Sequence, residues 1–413
     1  MNKNVFDTYL SSMNFLNEAC IDFPEAISFG SGRPKEEFFN VSGTVEGIKK
    51  MIGLDGSGSE SNLNYLGQYN KTKGIINEDI ARLLKNDEKI DVDPENIIIT
   101  DGAQEAMAII INTLFDKDDV LLVSDPSYVG FIGYAKIAGL DIRTVKRNQS
   151  SIDFDDLERT IQQIRRENKL PRALYEVPDF HNPTGKSMTV GERSRLLEMA
   201  ERYDFYVIED NPYGYFAFDE ERNLTLKAMD TKRRVIYIGS FAKSIFPSMR
   251  LGYLVADQEI RVDGRIIKLI EECKKVKSFV TVNTSVLLQA MLAGVLRQEN
   301  HSLLNYCKEK VAYCKHNRDV LARAIRCSFD FTEPWEKPKG GFFTTLRIPF
   351  EPTHELILKA AGEYGVIVCP MSMFCMEPQN GEKTLRLSYS YMTPEEIIEG
   401  VGRLAEFVKN ERQ

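Results

Sequence analysis

The sequence has few cysteines and histidines, and their spacing excludes several kinds of site. Its seven cysteines include no C-x-x-C pair and its four histidines lie far apart, so we expect neither a zinc site nor a disulfide framework. The odd number of cysteines suits a reducing compartment. No apolar run approaches the length of a membrane span. Together these absences predict a cytoplasmic protein without a bound metal.

An excess of positive charge is also lacking. Lys plus Arg total 53 against 61 Asp plus Glu, which gives a net charge of -8. This balance argues against a nucleic-acid or anionic-membrane surface, so any phosphate must be bound by a local site. With 413 residues, of which 43% are hydrophobic, the chain exceeds a single compact core. We therefore expect one large and one smaller domain.

Short β-branched runs alternate with helical patterns from about residue 97 onward. These runs lie at residues 97–99, 120–123, 173–175, 206–208 and 235–238. The alternation predicts an α/β fold with a three-layer, mostly parallel sheet flanked by helices. A capping signature at Thr189 and Glu192 marks the start of one of these helices.

The predicted organisation of the chain has three parts. Residues 1–45 form an N-terminal arm that packs with the small domain, residues 46–285 form the large domain, and residues 286–413 form a smaller α+β domain. Within the arm, an amphipathic helix is predicted at residues 6–16. The Gly- and Ser-rich residues 53–59 are predicted to be a mobile surface loop.

A lysine, Lys243, follows the last of these strands and lies between Ser240 and Arg250 in the sequence. A lysine amine is a nucleophile only when neutral, so a catalytic lysine needs a partly buried, electropositive pocket that lowers its pKa. Ser240 and Arg250 could both reach a phosphate. Taken alone, Ser-x-x-Lys is more often a solvated surface lysine. The assignment of Lys243 therefore depends on the strand ends around it.

Polar side chains follow two neighbouring predicted strands. Asp210 and Tyr213 come at the end of strand 206–208, and Asn182 lies in an Asn-Pro-Thr-Gly turn after strand 173–175. Open α/β sheets bind ligands at such strand ends. A buried carboxylate at Asp210 would keep the nitrogen of a pyridoxal ring protonated, and Asn182 and Tyr213 could donate to its phenolic oxygen. A helix or turn cap is the alternative role for Asp210.

A turn that leads into a helix follows strand 97–99. Free N–H groups at a helix start bind anions, so the backbone of Ala103 and Gln104 could hold a phosphate. Tyr128, after the next strand, offers a ring to stack on a flat cofactor. His181, by contrast, is expected to support its turn rather than to carry protons. Along one sheet, these motifs predict a pocket for a single flat, phosphorylated cofactor.

Together the motifs resemble the class I and II aminotransferases of fold type I, which depend on pyridoxal 5′-phosphate, and the likeness covers residues 27–408. The resemblance implies that Lys243 carries the cofactor as a Schiff base and that Asp210 contacts its pyridine nitrogen. It also implies cofactor contacts for Ala103, Gln104, Tyr128, Asn182, Tyr213, Ser240 and Arg250.

The resemblance extends to the substrate and to a second subunit. Arg386 matches the arginine that clamps the substrate α-carboxylate, a role that suits a guanidinium because it makes two parallel bonds to a carboxylate. Gly32 and Asn182 match residues beside the substrate. Tyr69 matches a tyrosine that reaches the phosphate of the partner subunit, which implies a homodimer with shared active sites.

The implied reaction moves an amino group from an L-amino acid to a 2-oxo acid, such as 2-oxoglutarate, by a ping-pong mechanism in which Lys243 moves the Cα proton. The motifs favour a subset that acts on hydroxyphenylglycine-type or other aromatic amino acids, with Arg33 as a candidate contact for the distal group. Two departures concern phosphate affinity and pocket shape: Ala242 stands where many relatives have serine, and Met371 where glycine is frequent.

Two alternatives use the same cofactor. A decarboxylase, lyase or oxidase breaks a different bond in the bound substrate, and the fold does not decide between these reactions. The effector domain of a transcriptional regulator shares the fold but needs a DNA-binding domain, for which residues 1–45 are short and weakly basic. Dependence on an amino acceptor would separate the enzymatic alternatives.

Overall fold

The structure of the protein, a computed structural model, describes residues 3–11, 18–51, 61–148, 150–219, 221–262, 264–329 and 335–411. Its strands are β1 (Ile27–Ser28), β2 (Ile97–Thr100), β3 (Asp119–Asp125), β4 (Asp141–Lys146), β5 (Leu170–Glu176), β6 (Tyr206–Asn211), β7 (Val235–Ser240), β8 (Gly252–Val255), β9 (Glu259–Val262), β10 (Arg265–Lys268), β11 (Phe343–Arg347), β12 (Val366–Ile367), β13 (Cys369–Pro370) and β14 (Thr384–Ser388). Its α-helices are α1 (Val41–Met51), α2 (Ser61–Leu66), α3 (Asn77–Leu83), α4 (Gly102–Leu114), α5 (Val129–Ile137), α6 (Phe154–Arg166), α7 (Val190–Tyr203), α8 (Leu226–Met229), α9 (Leu269–Val280), α10 (Val286–Gln298), α11 (Lys308–Ser328), α12 (His354–Tyr364) and α13 (Pro394–Glu411). The loop predicted at residues 53–59 lies outside the described residues.

The central sheet has seven strands in the order β2-β8-β7-β6-β5-β3-β4. The strands from β7 to β4 are mutually parallel, and β8 runs antiparallel to both β7 and β2. Every residue of β2 and β3 is buried, because helices cover both faces. Burial on both faces explains why the predicted runs are almost continuously apolar. The predicted three-layer, mostly parallel α/β fold is confirmed.

Two strands of this sheet were not predicted. β4 lies at one edge, where its sequence mixes charged and apolar residues and only Val145 is fully buried. β8 begins with Gly252 directly after an irregular segment, so it lacks a preceding helical pattern. β4 lies between two helices but lacks the uninterrupted apolar run on which the prediction depended, whereas β8 follows β7 without an α-helix between them.

Alternating side chains of the strands pack into two separate cores. Leu121 and Val123 join a cluster that includes α4 and α9, whereas Val120 and Leu122 join a cluster with α6 and α7. Helix α7 begins with the predicted capping box, in which Thr189 and Glu192 satisfy each other's backbone N–H groups. The two cores fix the sheet between its helix layers.

A small C-terminal domain contains a three-stranded sheet in the order β11-β14-β13. Its core combines this sheet with α11, α12 and α13. The N-terminal segment joins it through β1, which pairs in parallel with β12. Helix α10 instead shares its core with the large sheet. The domain boundaries at 45/46 and 285/286 stay predictions.

The prediction of one amphipathic helix at residues 6–16 is wrong for its described part. Residues Lys3–Phe6 and Thr8–Ser11 form two short 3-10 segments. Between them, the Asp7 carboxylate accepts a hydrogen bond from the backbone N–H of Tyr9 at 2.9 Å and pairs with Lys136 at 2.6 Å. This local acceptor competes with the helical backbone bond and interrupts the helix.

Among the described helices, none combines the length and apolar character that crossing a membrane would require. The same ranges hold no group of three His, Cys, Asp or Glu side chains suited to a metal ion.

Candidate active site

Loops at the carboxyl ends of the parallel strands surround a cavity of about 1050 Å³. Residues from β1, the small domain and α4 complete its lining. The predicted site residues that line it are Gly32, Ala103, Gln104, Tyr128, Asn182, Asp210, Tyr213, Ser240, Lys243, Arg250 and Arg386. Tyr69 is not among them, and 82% of its surface is exposed. The chain alone therefore assembles all predicted site residues except Tyr69.

Lys243 lies in the turn after β7 and points into the cavity. Its Nζ donates a hydrogen bond to the carbonyl oxygen of Gly32 at 2.7 Å. Burial lowers the pKa of Lys243 to about 8, and the positive charges of Arg386 and Arg250 contribute to this lowering. Lys243 is thus a partly buried amine that is neutral over an accessible pH range, as a nucleophile or proton acceptor requires.

Asp210 lies near the end of β6 with its two carboxylate oxygens in different surroundings. Oδ2 accepts a hydrogen bond from the hydroxyl of Tyr175 at 2.8 Å. Oδ1 is buried and has no hydrogen-bond partner within the described ranges. Burial raises the pKa of Asp210 to about 7, while the bond from Tyr175 opposes the rise. A buried acceptor without a partner is costly unless a ligand satisfies it.

The neighbouring acid, Glu209, points to the opposite face of the sheet. Its carboxylate accepts the backbone N–H groups of Leu226 at 2.8 Å and Lys227 at 2.7 Å, at the start of α8. Burial raises the pKa of Glu209 to about 8. Because side chains alternate along a strand, β6 supplies one acid to the cavity and one to the scaffold.

Arg386, on β14, is held by partners from distant parts of the chain. Its Nη1 donates to Oδ1 of Asn182 at 3.0 Å, and its Nη2 donates to the carbonyl oxygen of Gly30. The guanidinium carbon lies 4.4 Å from the ring centroid of Phe343 and 4.5 Å from that of Phe374. These contacts fix a buried cation in an aromatic setting, which suits recognition of a carboxylate.

Two glycines make room for a bound group at the start of α4. Gly102 has a φ of 71°, and a Cβ there would lie 2.6 Å from Nη2 of Arg250. A Cβ on Gly252 would lie 2.8 Å from the backbone nitrogen of Ala103. The backbone of Ala103 and the Arg250 guanidinium can therefore approach the same anion. Ser240 lies beside them, where its Oγ accepts the N–H of Ala242 at 3.2 Å.

Two aromatic side chains line other parts of the cavity. The Tyr128 hydroxyl lies 3.5 Å from Oε1 of Gln104, and burial raises the pKa of Tyr128 to about 12. Burial also raises the pKa of Tyr213, whose ring meets that of Phe343 edge to face at 5.8 Å between centroids. Both phenols therefore stay protonated and able to donate.

His181 lies next to Asn182 but is fully buried away from the cavity. Its Nδ1 lies 3.0 Å from Oγ1 of Thr184, and Nε2 lies 3.8 Å from Glu176. Burial, together with the charge of Arg147, lowers the pKa of His181 well below its usual value. A neutral histidine bonded within its own turn agrees with the supporting role expected from the sequence.

Several lining or supporting residues were missed in the sequence. The sequence marks Tyr175 only as a strand residue, and Phe343 and Phe374 belong to the small domain, far along the chain from Lys243. The available signal for Tyr175 was strand alternation, because β5 pairs Tyr175 with Ile208 and so places it on the same face as Asp210. No local pattern marked the two phenylalanines.

These residues fit a flat, phosphorylated cofactor with a basic ring nitrogen. Oδ1 of Asp210, which has no hydrogen-bond partner in the described part of the chain, would accept a hydrogen bond from a protonated pyridine nitrogen. The room at Gly102 and Gly252, with Arg250 beside it, suits a phosphate. Lys243 supplies the amine that would bond to an aldehyde. Together these groups match the substituents of pyridoxal 5′-phosphate.

Comparisons with known proteins agree with this fit. The family model for aminotransferase class I and II matches residues 44–404. The chain is 41% identical over 409 residues to the (S)-3,5-dihydroxyphenylglycine transaminase of Amycolatopsis orientalis, covering 97% of this chain and 92% of that protein.

Solved structures give the same result. The kynurenine aminotransferase of Pyrococcus horikoshii superposes with a TM-score of 0.86 at 26% identity and covers 100% of this chain and 98% of its own. The α-aminoadipate aminotransferase LysN of Thermus thermophilus, complexed with N-(5′-phosphopyridoxyl)-L-leucine, superposes with a TM-score of 0.80 at 26% identity. The match covers 97% of this chain and 95% of that chain. This chain belongs to the class I and II aminotransferases, a family of pyridoxal-phosphate-dependent enzymes.

Proposed function

We propose that this aminotransferase moves the amino group of an aromatic or phenylglycine-type L-amino acid to a 2-oxo acid such as 2-oxoglutarate. The observation that carries the proposal is the position of Arg386 between the rings of Phe343 and Phe374 in the cavity that Lys243 also lines. An amino acid anchored by its α-carboxylate at Arg386 would meet aromatic surface beside its own side chain. The identity to a dihydroxyphenylglycine transaminase supports the same substrate class.

The chain's own residues divide the chemistry between them. When bound, pyridoxal 5′-phosphate accepts the amino group and withdraws electrons from the substrate Cα. The neutral amine of Lys243 would take the proton from Cα. Asp210 would hold the proton of the ring nitrogen through Oδ1, and Asn182 orients the Arg386 guanidinium through the hydrogen bond at 3.0 Å. The Ala103 backbone and Arg250 would hold the phosphate, with Gln104 and Ser240 beside them.

A ping-pong mechanism is expected if Arg386 binds the α-carboxylate of both substrates. The amino donor and the 2-oxo acceptor both carry an α-carboxylate, so they would compete for Arg386 and must bind in turn. Initial rates measured at several fixed acceptor concentrations should give parallel double-reciprocal lines. Intersecting lines would contradict the mechanism.

The test of the assigned lysine is Lys243→Ala, which should abolish transamination and the absorbance band of the lysine-bound cofactor. Lys232→Ala is the matched control, because Lys232 forms a surface pair with Glu201. Retained transamination in Lys243→Ala would overturn the assignment. Omission of the 2-oxo acid should stop turnover, whereas a lyase or an oxidase would continue.

The substrate class is tested by turnover of aromatic, acidic and aliphatic amino donors. Arg33 is the specificity candidate because its guanidinium lies 3.9 Å from the ring centroid of Tyr391, and both residues line the cavity. If this pair contacts the distal group, Arg33→Ala should change the order of preference among donors. An unchanged profile would remove Arg33 from the specificity determinants.

A homodimer with shared active sites is part of the proposal. Tyr69 is 82% exposed and does not line the cavity of its own chain, which leaves it available to a partner subunit. Co-expression of Lys243→Ala with Tyr69→Phe tests this arrangement. Each mixed dimer would contain one site of two with both residues intact, and random pairing makes about half of the dimers mixed. The co-expressed protein as a whole should therefore regain about a quarter of wild-type activity. If the co-expressed protein instead has only the residual activity that its Tyr69→Phe subunits show on their own, that result would contradict shared sites.

We also infer a cytoplasmic location from the odd number of cysteines, none of which forms a C-x-x-C pair. Cell fractionation with an antibody to the protein tests this inference, and recovery in a secreted or membrane fraction would contradict it.

A further inference from the structure

A buried tyrosine contacts the cavity acid from behind. Tyr175 is fully buried on β5, and its hydroxyl donates to Oδ2 of Asp210 at 2.8 Å. The Tyr175 ring stacks on that of Phe131, with centroids 3.9 Å apart and planes 9° apart. Neither aromatic residue is among those that line the cavity. Tyr175 therefore reaches the site only through Asp210.

The register of two neighbouring strands sets this contact. β5 pairs with β6 in parallel, with Tyr175 opposite Ile208. Asp210 lies two residues beyond Ile208, so it projects from the same face as Tyr175. The Tyr175 side chain reaches diagonally across the two strands to Asp210. Its stacking on Phe131 fixes the position of its hydroxyl oxygen.

The hydroxyl changes what Asp210 can do. With Oδ2 occupied, the carboxylate has one defined orientation, and Oδ1 is the oxygen left without a partner among the described residues. Burial favours the neutral acid, which cannot accept a proton, whereas a hydrogen bond donated to Oδ2 favours the anion. Burial also raises the pKa of Tyr175 well above its usual value, so the phenol remains a donor.

We propose that Tyr175 is a positioning residue that orients Asp210 and keeps it ionised, so that Oδ1 faces the pyridine nitrogen of the bound cofactor. This inference rests on the proposed role of Asp210. The Tyr175 hydroxyl donates to the carboxylate and, because its pKa is raised, keeps its proton, which leaves the negative charge on Asp210.

The variant Tyr175→Phe tests the proposal because it keeps the ring and its stacking on Phe131 and removes only the hydroxyl. The dissociation constant for pyridoxal 5′-phosphate should rise between about tenfold and about a hundredfold, as for the loss of a hydrogen bond to a charged group. With ¹⁵N-labelled cofactor, the ring-nitrogen resonance of the holoenzyme should move toward its unprotonated position. Tyr389→Phe is the matched control, because its buried hydroxyl bonds the Gly340 carbonyl at 2.8 Å instead.

A double-mutant cycle with Asp210→Asn separates positioning from packing. If Tyr175 acts through Asp210, adding Tyr175→Phe to Asp210→Asn should change cofactor affinity by less than about threefold. An equal effect in both backgrounds, or an unchanged nitrogen resonance in Tyr175→Phe, would overturn the proposal for Tyr175 alone. If Asp210→Asn itself leaves affinity and resonance unchanged, the role of Asp210 fails, and with it the inference. Circular dichroism of each variant checks that the fold persists.

Discussion

The amine of Lys243 donates a hydrogen bond to the carbonyl oxygen of Gly32, with 2.7 Å between Nζ and that oxygen. This bond joins the turn after β7 to the segment after β1, which belongs to the N-terminal part of the chain. Because the acceptor is a backbone carbonyl rather than a carboxylate, it orients the amine without adding a negative charge that would favour its protonated form.

The pH dependence of cofactor attachment follows from the lowered pKa of Lys243. Only the neutral amine attacks an aldehyde, so the rate at which cofactor-free protein forms the Schiff base should rise with pH and reach half its maximum near the pKa of about 8. An ordinary lysine would give a midpoint near about 10.4. Stopped-flow absorbance at a series of pH values measures this midpoint.

Removing a neighbouring positive charge should move that midpoint upward. Arg386→Gln deletes one of the two cations that lower the pKa of Lys243, so the amine would lose its proton only at higher pH. Arg33→Gln serves as the control, because Arg33 is not among the groups that shift the pKa of Lys243. A midpoint for Arg386→Gln at or below that of the wild type would show that the guanidinium does not act on the amine.

Arg386→Lys should weaken binding of the substrate carboxylate although the charge is kept. Lysine cannot form the two parallel bonds of a guanidinium, nor hold Asn182 and Gly30 at once. We expect KM for both the amino donor and the 2-oxo acid to rise about tenfold or more. Steady-state kinetics with an arylalkylamine that lacks the carboxylate provides the comparison, since its KM should not change. Equal effects on both kinds of substrate would argue for a distorted pocket instead.

Gly102→Ala should weaken cofactor binding through its effect on the phosphate region. The φ of 71° is unfavourable for alanine by about 1–2 kcal/mol, and the added Cβ would meet Arg250 at 2.6 Å. Isothermal titration should show a higher dissociation constant for pyridoxal 5′-phosphate. Gly191→Ala, where a Cβ meets nothing within 4 Å, is the control and should leave that constant unchanged. An unchanged affinity for pyridoxal 5′-phosphate in Gly102→Ala would show that the Arg250 side chain can move away from the added Cβ without weakening cofactor binding.

A buried ion pair beneath α4 should contribute to the free energy of unfolding. Lys277 is fully buried and its Nζ lies 2.9 Å from both carboxylate oxygens of Glu105, with Thr284 also at 2.9 Å. Lys277→Met removes the only cation paired with Glu105 among the described residues and should destabilise the fold by about 3–5 kcal/mol. Urea unfolding at matched protein concentration measures the change.

Helix α9, which contains Lys277, also offers a matched control for that measurement. Lys275 pairs with Glu272 at 2.8 Å, but 68% of the lysine side chain is exposed. Lys275→Met should therefore cost less than about 1 kcal/mol. Adding Glu105→Gln to Lys277→Met should recover part of the lost stability, because the unpaired charge is removed. Similar losses for the two lysine variants would show that burial does not strengthen the pair.

Lys243, Asp210 and Asn182 could be predicted from the sequence because each follows a recognisable strand. In a parallel sheet all such carboxyl ends meet at one edge, so local patterns are enough to bring these residues together. Arg386 was found through the family resemblance and not through its local pattern. Five of the seven strands of the central sheet were predictable, since the runs in β2, β3, β5, β6 and β7 are largely buried on both faces and nearly uniform in character.

Tyr175 and the aromatic contacts of Arg386 could not be predicted in this way. The importance of Tyr175 depends on the register between β5 and β6, which the sequence of neither strand specifies alone. Phe343 and Phe374 meet Arg386 only after the small domain packs against the large one. Near the N-terminus, the Asp7 carboxylate that interrupts the helix pairs with Lys136, which is likewise distant in sequence.

The adjacent acids of β6 make this strand unusually intolerant of insertion or deletion. Glu209 serves the amides of Leu226 and Lys227, while Asp210 serves the cavity. Insertion of one residue before Ile208 would turn Glu209 into the cavity and put Ile208 on the face of those amides, which would lose their acceptor. A one-residue insertion within β6 would thus lower both the stability of the fold and the activity of the site. Length changes that the protein tolerates should accumulate in the loops on either side of β6 and spare the strand itself.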